Sequence, residues 1–278
     1  LEKHYVRIFE NLLEKRFNIK KTRNVTCFVG IQFEKVKENI LLHQEIFIKE
    51  VIEKYELLTA KSRSTPIDLN CLQETNSKKL EKIKLYQNII GTLNYISNSC
   101  RPDIMFAVNY LSRKAHAPTI ADLKRAKNVL VYLRDTSKLG LVFEGGFTYK
   151  ERQIVVYVDS SHGIGEGMKS IYGYIIYLDN NVLFYKSKKQ RIIAQSSCEA
   201  EFVALAFALK EVLWLEQLLN EIGILFKTSI IFCDNLGAIK IAESQSSSGR
   251  TKHVAIKLEL ISNGEENTSS RRSIEEEN

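Results

Sequence analysis

The feature that most constrains the fold is a long apolar stretch, from Phe202 to Leu219, which contains no Gly and no Pro. Its large apolar side chains recur at helical spacing, and the alanines and leucines between them widen the apolar face. The residues that set this spacing are Phe202, Leu205, Leu209, Val212 and Leu219. A helix that is apolar around much of its girth must be covered by other elements. The sequence therefore predicts that this helix lies in the core of the fold.

Three carboxylates are placed around this predicted helix. Glu199 lies at its start, and Asp159 and Asp234 each end a short β-like run. Carboxylates at strand and helix ends around one central helix would form a site for divalent metal ions. Simpler interpretations exist, because Glu199 lies three residues after Ser196 and would complete a capping box. Asp159 would be a strand-ending turn residue, and Asp234 with Asn235 would cap a helix. Spacing alone leaves both interpretations open.

The composition is that of a globular protein with a positive net charge. Hydrophobic residues make up 44% of the chain and charged residues 26%, which is not the composition of a disordered chain. The net charge of +7 and the pI of about 9.0 fit a polyanionic partner such as nucleic acid, and they equally fit a Lys-rich protein without one. Basic residues on two predicted helices would face either a phosphate backbone or solvent: Arg113, Lys114, Lys124, Arg125 and Lys127.

The cysteines and the apolar runs bear on the compartment. The five cysteines show no CxxC spacing, so we expect reduced, buried thiols in an intracellular protein, cytoplasmic or nuclear and not secreted. No apolar run reaches membrane-spanning length and no signal peptide is visible, so we expect no membrane partner. Because the chain starts at Leu1 rather than Met, we expect a fragment of a longer precursor.

The first half of the chain mixes predicted helices with a strand pair. Amphipathic spacing predicts helices over 3–17, 44–58, 86–97 and 120–134, the last of them capped by Thr119. Pro102 suits the first turn of a further helix. Alternation predicts strands over 25–35 and 40–42. The polar stretch 62–82 has the composition of a linker. These elements predict an α+β unit over residues 1–150.

The second half alternates strands and helices. Apolar runs predict strands over 153–159, 172–178, 182–188 and 229–234, and 179–181 is a turn that makes the second and third strands a hairpin. The central helix lies between the third and fourth strands, and a further helix covers 235–242. This order predicts an α/β fold in which a mixed sheet has helices on its faces.

Several separated motifs of the first half resemble one family. They are Phe28-Val29-Gly30-Ile31, Ser64-Thr65-Pro66, Gly91-Thr92-Leu93-Asn94-Tyr95 and Arg101-Pro102-Asp103-Ile104. In this order they resemble the Pol polyprotein of copia-type LTR retrotransposons, in the region after the polymerase palm. The polymerase signature of that family, a Tyr-x-Asp-Asp turn, is absent and would lie upstream of Leu1. The resemblance implies that 1–150 is a reverse transcriptase thumb and connection without the polymerase active site.

The second half continues the resemblance. Its motifs are Tyr157-Val158-Asp159, Ser187-Lys188-Lys189-Gln190, the stretch from Ser196 to Phe202, Asp234-Asn235 and Arg250-Thr251-Lys252-His253. They resemble the ribonuclease H domain of copia-type elements, which would span 151–261. The resemblance implies that Asp159, Glu199 and Asp234 are catalytic and bind two Mg²⁺ ions, with Mn²⁺ as a substitute. It also implies an RNA–DNA hybrid as partner, contacted by Asn235, Arg250, Lys252 and His253, and the remainder of a Pol polyprotein upstream.

The chain also departs from the family pattern. Ala255 stands where the family has a fourth metal-binding Asp, and Glu259 follows four residues later. The polar, patternless residues 262–278 predict a disordered tail. We therefore expect a C-terminally truncated domain whose sheet lacks an element. Three functions stay open: a Mg²⁺-dependent ribonuclease H, a catalytically decayed nucleic-acid-binding relic, and a protein-interaction scaffold.

Overall fold

The computed structural model describes residues 2–18, 25–68, 77–145, 152–163, 167–246 and 256–260. The elements of the first half are α1 (Glu2–Arg16), β1 (Cys27–Phe28), β2 (Ile31–Val36), β3 (Asn39–His43), α2 (Glu45–Lys54), α3 (Ile83–Ser99), a 3-10 turn (Pro102–Ile104), α4 (Met105–Ser112), α5 (Ile120–Asp135) and β4 (Leu141–Phe143). Those of the second half are β5 (Ile154–Ser161), β6 (Ile171–Leu178), β7 (Asn181–Lys189), α6 (Ser197–Glu221), β8 (Ser229–Cys233), α7 (Leu236–Ser246) and β9 (Ile256–Leu260). The predicted α/β fold class is confirmed.

The first half is built around the helices α2, α3, α4 and α5. Their buried apolar side chains form one core, in which Tyr86, Leu93 and Leu130 are fully buried. The helix α5 begins at a capping box: the Thr119 side chain accepts from the Asp122 backbone N–H, and the Asp122 side chain accepts from the Thr119 N–H. Beside this core lies an antiparallel sheet in the order β1-β2-β3-β4. The predicted strand pair is therefore present as β2 and β3, with β1 beside β2 and β4 beside β3.

The second half is built around a five-stranded mixed sheet in the order β7-β6-β5-β8-β9. The strands β5, β6 and β7 are antiparallel neighbours, whereas β8 is parallel to β5 and β9 is parallel to β8. The sequence predicted four strands in this half, and the structure adds a fifth, because β9 pairs with β8 along its whole length, from Ser229–Ile256 to Cys233–Leu260. The expected truncation of the domain stays a prediction. The short alternating run Ile256–Leu260 supplies this fifth strand.

The central helix α6 packs across the sheet, as predicted. Its buried face carries apolar residues and one carboxylate: Ala200, Glu201, Ala204, Leu205, Ala208, Val212, Leu215 and Leu219. This face packs against β5, β6 and β8, and α7 packs against α6 and β9. The opposite flank is not covered, because Phe207 is 41% exposed and Trp214 is 49% exposed. The helix is therefore a core helix on one side and a surface helix on the other.

The two halves meet at β7. The Tyr185 hydroxyl donates to the backbone oxygen of Ser97 at 2.8 Å, and β7 also contacts α4 and β4. A cavity of about 300 Å³ lies between the halves, with Pro102 and Phe106 on one side and Asp159 on the other. The sheet of the second half is therefore attached to the helices of the first through its edge strand.

The structure also bears on the expectations about the cysteines, the basic residues and a membrane. The four cysteines that the structure describes are free, but Cys27 is exposed rather than buried. Arg125, expected to face phosphate or solvent, is buried beside Asp122, with Nη1 at 3.1 Å from Oδ1. Among the described residues, no helix combines the length and apolar composition needed to cross a membrane. The predicted tail 262–278 lies outside the described residues.

Candidate active site

The carboxyl ends of β5 and β8 lie at the same edge of the sheet, because these strands are parallel neighbours. Asp159 is near the end of β5 and is exposed, and Asp234 directly follows β8 and is also exposed. The two aspartates come from different parts of the chain, and the sheet topology brings their strand ends together. The carboxyl edge of a sheet is a frequent place for functional side chains in open α/β folds.

A buried carboxylate from α6 reaches this edge. The side chain of Glu201 is only 4% exposed, and its Oε1 accepts from both the backbone N–H and the hydroxyl of Ser160, each at 2.8 Å. Its Oε2 lies 3.9 Å from the Cys233 Sγ. One ligand atom each from Glu201, Cys233 and Asp234 lie within 4.8 Å of one another. The start of α6 and the carboxyl ends of β5 and β8 therefore contribute side chains to one cluster.

The electrostatics of this cluster favour a cation. The pKa of the Glu201 carboxyl is raised to about 7, chiefly by burial and also by the charges of Asp234 and Asp159, whereas the hydrogen bonds from Ser160 lower it. Burial also raises the pKa of the Cys233 thiol to about 11, with the same carboxylates contributing. Like charges that lie close together disfavour each other's ionised form. A bound divalent cation would offset the repulsion between these carboxylates.

The structure places Glu199 elsewhere. Its backbone N–H donates to the Ser196 hydroxyl at 3.1 Å, and its Oε2 accepts from the Gln195 N–H at 2.7 Å. Two residues along an α-helix correspond to a rotation of about 200°. Glu199 and Glu201 therefore point to nearly opposite sides of α6, and only Glu201 joins Asp234. The contacts of Glu199 are those of a helix cap, which was its simpler interpretation.

Asp159 lies beside the cluster but outside its closest group. Its charge acts on both Glu201 and Cys233. Along β5 the buried side chains of Val156 and Val158 alternate with exposed Asp159, and Asp159 lines the cavity between the halves. Within the described residues, the compact 4.8 Å group consists of Glu201, Cys233 and Asp234 without Asp159.

The segment after Asp234 is fixed by tight packing. The Asn235 Oδ1 accepts from the Ala238 N–H at 3.0 Å and so caps α7. A Cβ atom at Gly237 would lie 2.9 Å from the Cys198 Sγ, so the start of α7 passes close to the start of α6. The side-chain oxygen of Asn235 therefore caps a helix of the protein itself. The other residues expected to contact nucleic acid lie outside the described residues: Arg250, Lys252 and His253.

Glu201 could have been found from the sequence. It precedes Leu205, Ala208 and Val212 by 4, 7 and 11 residues, so it lies on the apolar face of α6. A carboxylate on the apolar face of a core helix is a stronger indication of a site than one in the first turn, where capping is common. Ser160 and Cys233 carry no such indication, because their roles depend on the contact between β5, β8 and α6.

The residues present fit a hard divalent cation. Glu201 and Asp234 offer carboxylate oxygens, which are the donors that Mg²⁺ and Mn²⁺ prefer. The Oε1 of Glu201 accepts from Ser160, whereas the contact of its Oε2 with the Cys233 thiol is weak at 3.9 Å. A buried carboxylate oxygen with so weak a donor is suited to bind a metal ion.

The fold and this cluster define an α/β protein with a carboxylate site at the edge of a mixed sheet. The chain is similar to the retrovirus-related Pol polyproteins from transposons RE1 and RE2 of Arabidopsis thaliana, with 34% and 33% identity over 254 residues. It is also similar to that from transposon TNT 1-94 of Nicotiana tabacum, with 29% identity over 259 residues. Each comparison covers 90% of this chain but only 17 to 19% of the relative. No family model matches the chain.

Over nine tenths of its length the chain is homologous to retrovirus-related Pol polyproteins from copia-type transposons, and it is a retrotransposon-derived protein. It spans less than a fifth of the length of these relatives. Activity and substrates of the whole Pol protein therefore come to this chain only as proposals.

Proposed function

We propose that the second half of the chain is a ribonuclease H-like nuclease that hydrolyses the RNA strand of an RNA–DNA hybrid with a divalent metal ion. The observation that carries the proposal is the buried carboxylate of Glu201, which lies beside Asp234 at the carboxyl ends of β5 and β8. Burial of an ionisable group among like charges is energetically unfavourable, and such groups are therefore most often found at functional sites. The reaction is inferred from the family resemblance, and its location is inferred from the carboxylate cluster.

Each residue of the cluster has a distinct part in this proposal. Glu201 and Asp234, with Asp159 beside them, would hold Mg²⁺ or Mn²⁺, and the bound ion would stabilise negative charge on the phosphodiester and activate the attacking water. Ser160 fixes the orientation of Glu201 through two hydrogen bonds. Because α6 and the sheet bury Glu201, its carboxylate has little freedom to turn away from the substrate.

The substrate would be held by charge rather than by base sequence. The net charge of +7 favours a polyanion, and binding through the backbone of a hybrid is directed by its shape. The helices of the first half would contribute to this grip, together with Arg250, Lys252 and His253.

A second candidate is a nucleic-acid-binding relic that has lost cleavage. The observation that favours it is Ala255, which stands where the family has its fourth metal-binding Asp. Alanine offers no ligand atom to a metal ion. A protein of this kind would keep the fold and its positive charge, and it would bind a hybrid without cutting it.

The test compares two glutamates on one helix. We expect the unaltered chain to cleave a labelled RNA–DNA hybrid with Mg²⁺ or Mn²⁺, and Glu201→Gln to lower the rate by at least ~100-fold, because loss of an outer-shell partner alone lowers activity or metal affinity by about 10- to 100-fold. Glu199→Gln is the matched control and should keep most of the activity. Thermal unfolding of both variants checks that they are folded.

Each result that contradicts the proposal leads to a different conclusion. Loss of activity in Glu199→Gln with full activity in Glu201→Gln would return the metal site to Glu199. Binding of the hybrid without cleavage in either metal would favour the relic. Absence of hybrid binding would exclude both candidates.

A further inference from the structure

The uncovered flank of α6 and the edge strand β7 form a groove that the proposed reaction does not use. We call it the aromatic groove, and its residues are Phe184, Lys186 and Lys188 of β7 and Phe207, Lys210 and Trp214 of α6. All six are exposed, and the three from β7 alternate with partly buried residues along the strand. They therefore stand on the sheet face that α6 covers, at its open edge.

The groove is built in successive layers along the strand. At one end Phe207 stacks on Tyr172, with ring centroids 4.7 Å apart, and Tyr172 pairs with Lys188 across the strands. In the middle Glu211 accepts from the Tyr174 hydroxyl at 3.1 Å and lies 3.6 Å from the Lys186 Nζ.

At the other end Trp214 meets Phe184 edge to face, with ring centroids 5.6 Å apart. Aromatic rings therefore occupy both ends of the groove, and lysines lie along its strand side. The rings are held by these contacts, so their orientation is set before any partner binds.

Three aromatic rings of the groove are exposed. Phe184 is 37% exposed, Phe207 is 41% exposed and Trp214 is 49% exposed. Three neighbouring aromatic rings at the surface indicate a binding site rather than scattered surface residues. Phe207 and Trp214 lie on the flank of α6 that borders β7, beside the helix face that forms the core.

The charge of the groove selects among possible partners. Lys186, Lys188 and Lys210 contribute three positive charges, and the one carboxylate between them, Glu211, is paired with Lys186. Lysine is depleted in protein–protein interfaces, where its burial is unfavourable. Alternating aromatic rings and lysines fit a strand of nucleic acid, whose bases stack on the rings and whose phosphates meet the lysines. Duplex bases are already stacked on each other, so the partner must be unpaired.

We propose that the aromatic groove binds single-stranded nucleic acid that leads to or from the candidate active site. The inference rests on the proposed function, since it takes nucleic acid as the substrate. The groove ends near that site: Gln190 follows Lys188 by two residues and donates from its Nε2 to the Ala200 oxygen at 2.8 Å. Ala200 precedes Glu201 directly, so a strand lying along β7 reaches the start of α6.

Trp214 makes the proposal measurable, because it is the sole tryptophan of the chain. A base that stacks on the indole ring quenches its fluorescence. We expect an oligothymidylate of about 12 nucleotides, within the length that such sites cover, to quench Trp214 emission in buffer containing EDTA. The same titration, followed by anisotropy of a labelled oligonucleotide, measures affinity in variants without the tryptophan. Trp214→Ala should bind about 5- to 100-fold more weakly, and Trp214→Phe should be affected less.

The lysines are tested by salt dependence. The double variant Lys188→Gln with Lys210→Gln should make the plot of log binding constant against log salt concentration less steep. We expect its negative slope to shrink in magnitude by about 1.4, since each phosphate contact of a single strand contributes about 0.7. The matched control is Lys35→Gln with Lys227→Gln, which removes two exposed lysines elsewhere and should change the slope little.

Three results would overturn the proposal. Binding without any change in Trp214 emission would place the oligonucleotide elsewhere. An equal change of slope in both double variants would show a general effect of charge. A change in Trp214 emission with protein concentration alone would show that a second copy covers the groove. Failure of the proposed function is separate, because hybrid cleavage can be absent while quenching in EDTA persists.

Discussion

Near the end of α6, Glu216 is partly buried and accepts a hydrogen bond from the Ser229 hydroxyl at 2.5 Å. Burial raises the pKa of the Glu216 carboxyl above its ordinary value, and the hydrogen bond from Ser229 opposes this rise. The folded state therefore binds the proton more tightly than the unfolded state. The free energy of unfolding falls as pH rises from the ordinary glutamate value through the raised one.

We therefore predict that Glu216→Gln stabilises the protein at neutral pH, because it removes the buried charge and keeps an acceptor for Ser229. We expect the melting temperature to rise by about 2 °C at pH 8, and the difference to vanish below the ordinary glutamate pKa. Glu221→Gln, at an exposed position of the same helix, is the control. A lower melting temperature at both pH values would show that the charge of Glu216 is not what reduces stability.

At the scale of the residue, the sequence predicted Glu199 as the helix carboxylate of the site, whereas the structure groups Glu201 with Asp234. Glu199 fits a motif, whereas Glu201 fits the apolar face of α6, and the contacts of Ser160 and Asp234 are with Glu201. The periodicity needed for this distinction is present in the sequence. The nearness of Cys233 is not, because it follows from the parallel pairing of β5 and β8. The metal site itself stays a prediction.

At the scale of the element, the start of α5 offers a direct test of a sequence signal. Thr119→Ala removes the side-chain oxygen that accepts from the Asp122 N–H, and it also removes the hydroxyl that donates to the Asp122 Oδ2 at 2.7 Å. We expect a loss of about 1 kcal/mol in the free energy of unfolding. Urea denaturation followed by circular dichroism measures it. Thr119→Ser keeps both contacts and should lose much less, and equal losses would argue against the cap.

The predicted elements that the structure confirms are long or capped, such as α5 and α6. The missed elements are short. The strand predicted over 25–35 is divided into β1 and β2 by a turn at Val29 and Gly30. The strand β4 was missed because it has three residues, too few positions for an alternating pattern to show. The strand β9 does alternate, but it is formed only because β8 offers it a parallel neighbour. Pairing with a distant strand is a tertiary effect that a local pattern does not contain.

At the scale of the whole molecule, the described residues form two hydrophobic cores, one before and one after residues 146–151. The predicted domain division near residue 150 stays a prediction. The stretch 62–82, which has the composition of a linker, packs in part on α5: the Arg63 N–H donates to Asp135, and the Lys78 oxygen accepts from the Ile120 N–H. Composition cannot show this, because polar residues can be held by backbone hydrogen bonds as well as by solvent.

The contact between Tyr185 and Ser97 predicts that the two cores unfold together. Leu93→Ala creates a cavity in the first core and should reduce stability by about 2–5 kcal/mol. Because β7 joins the halves, we expect this substitution to lower the unfolding midpoint reported by Trp214, which lies in the second half. Tyr185→Phe removes the hydroxyl that donates to the Ser97 oxygen, and we expect it to reduce stability by about 1 kcal/mol.

Tyr185→Phe should also weaken the effect of Leu93→Ala on the Trp214 signal, because one of the hydrogen bonds that join the halves is then absent; others link Glu144 to Asn180 and Asn181. Ser97→Ala is the control for the contact between the halves, since it leaves the backbone acceptor in place. It removes the hydrogen bond from the Ser97 hydroxyl to the Asn94 oxygen, so it should lower stability without weakening the effect of Leu93→Ala. If the midpoint reported by Trp214 does not respond to Leu93→Ala, the halves unfold independently and the contact at β7 does not couple them. If Ser97→Ala and Tyr185→Phe weaken the effect of Leu93→Ala equally, the hydrogen bond of Tyr185 is not the cause.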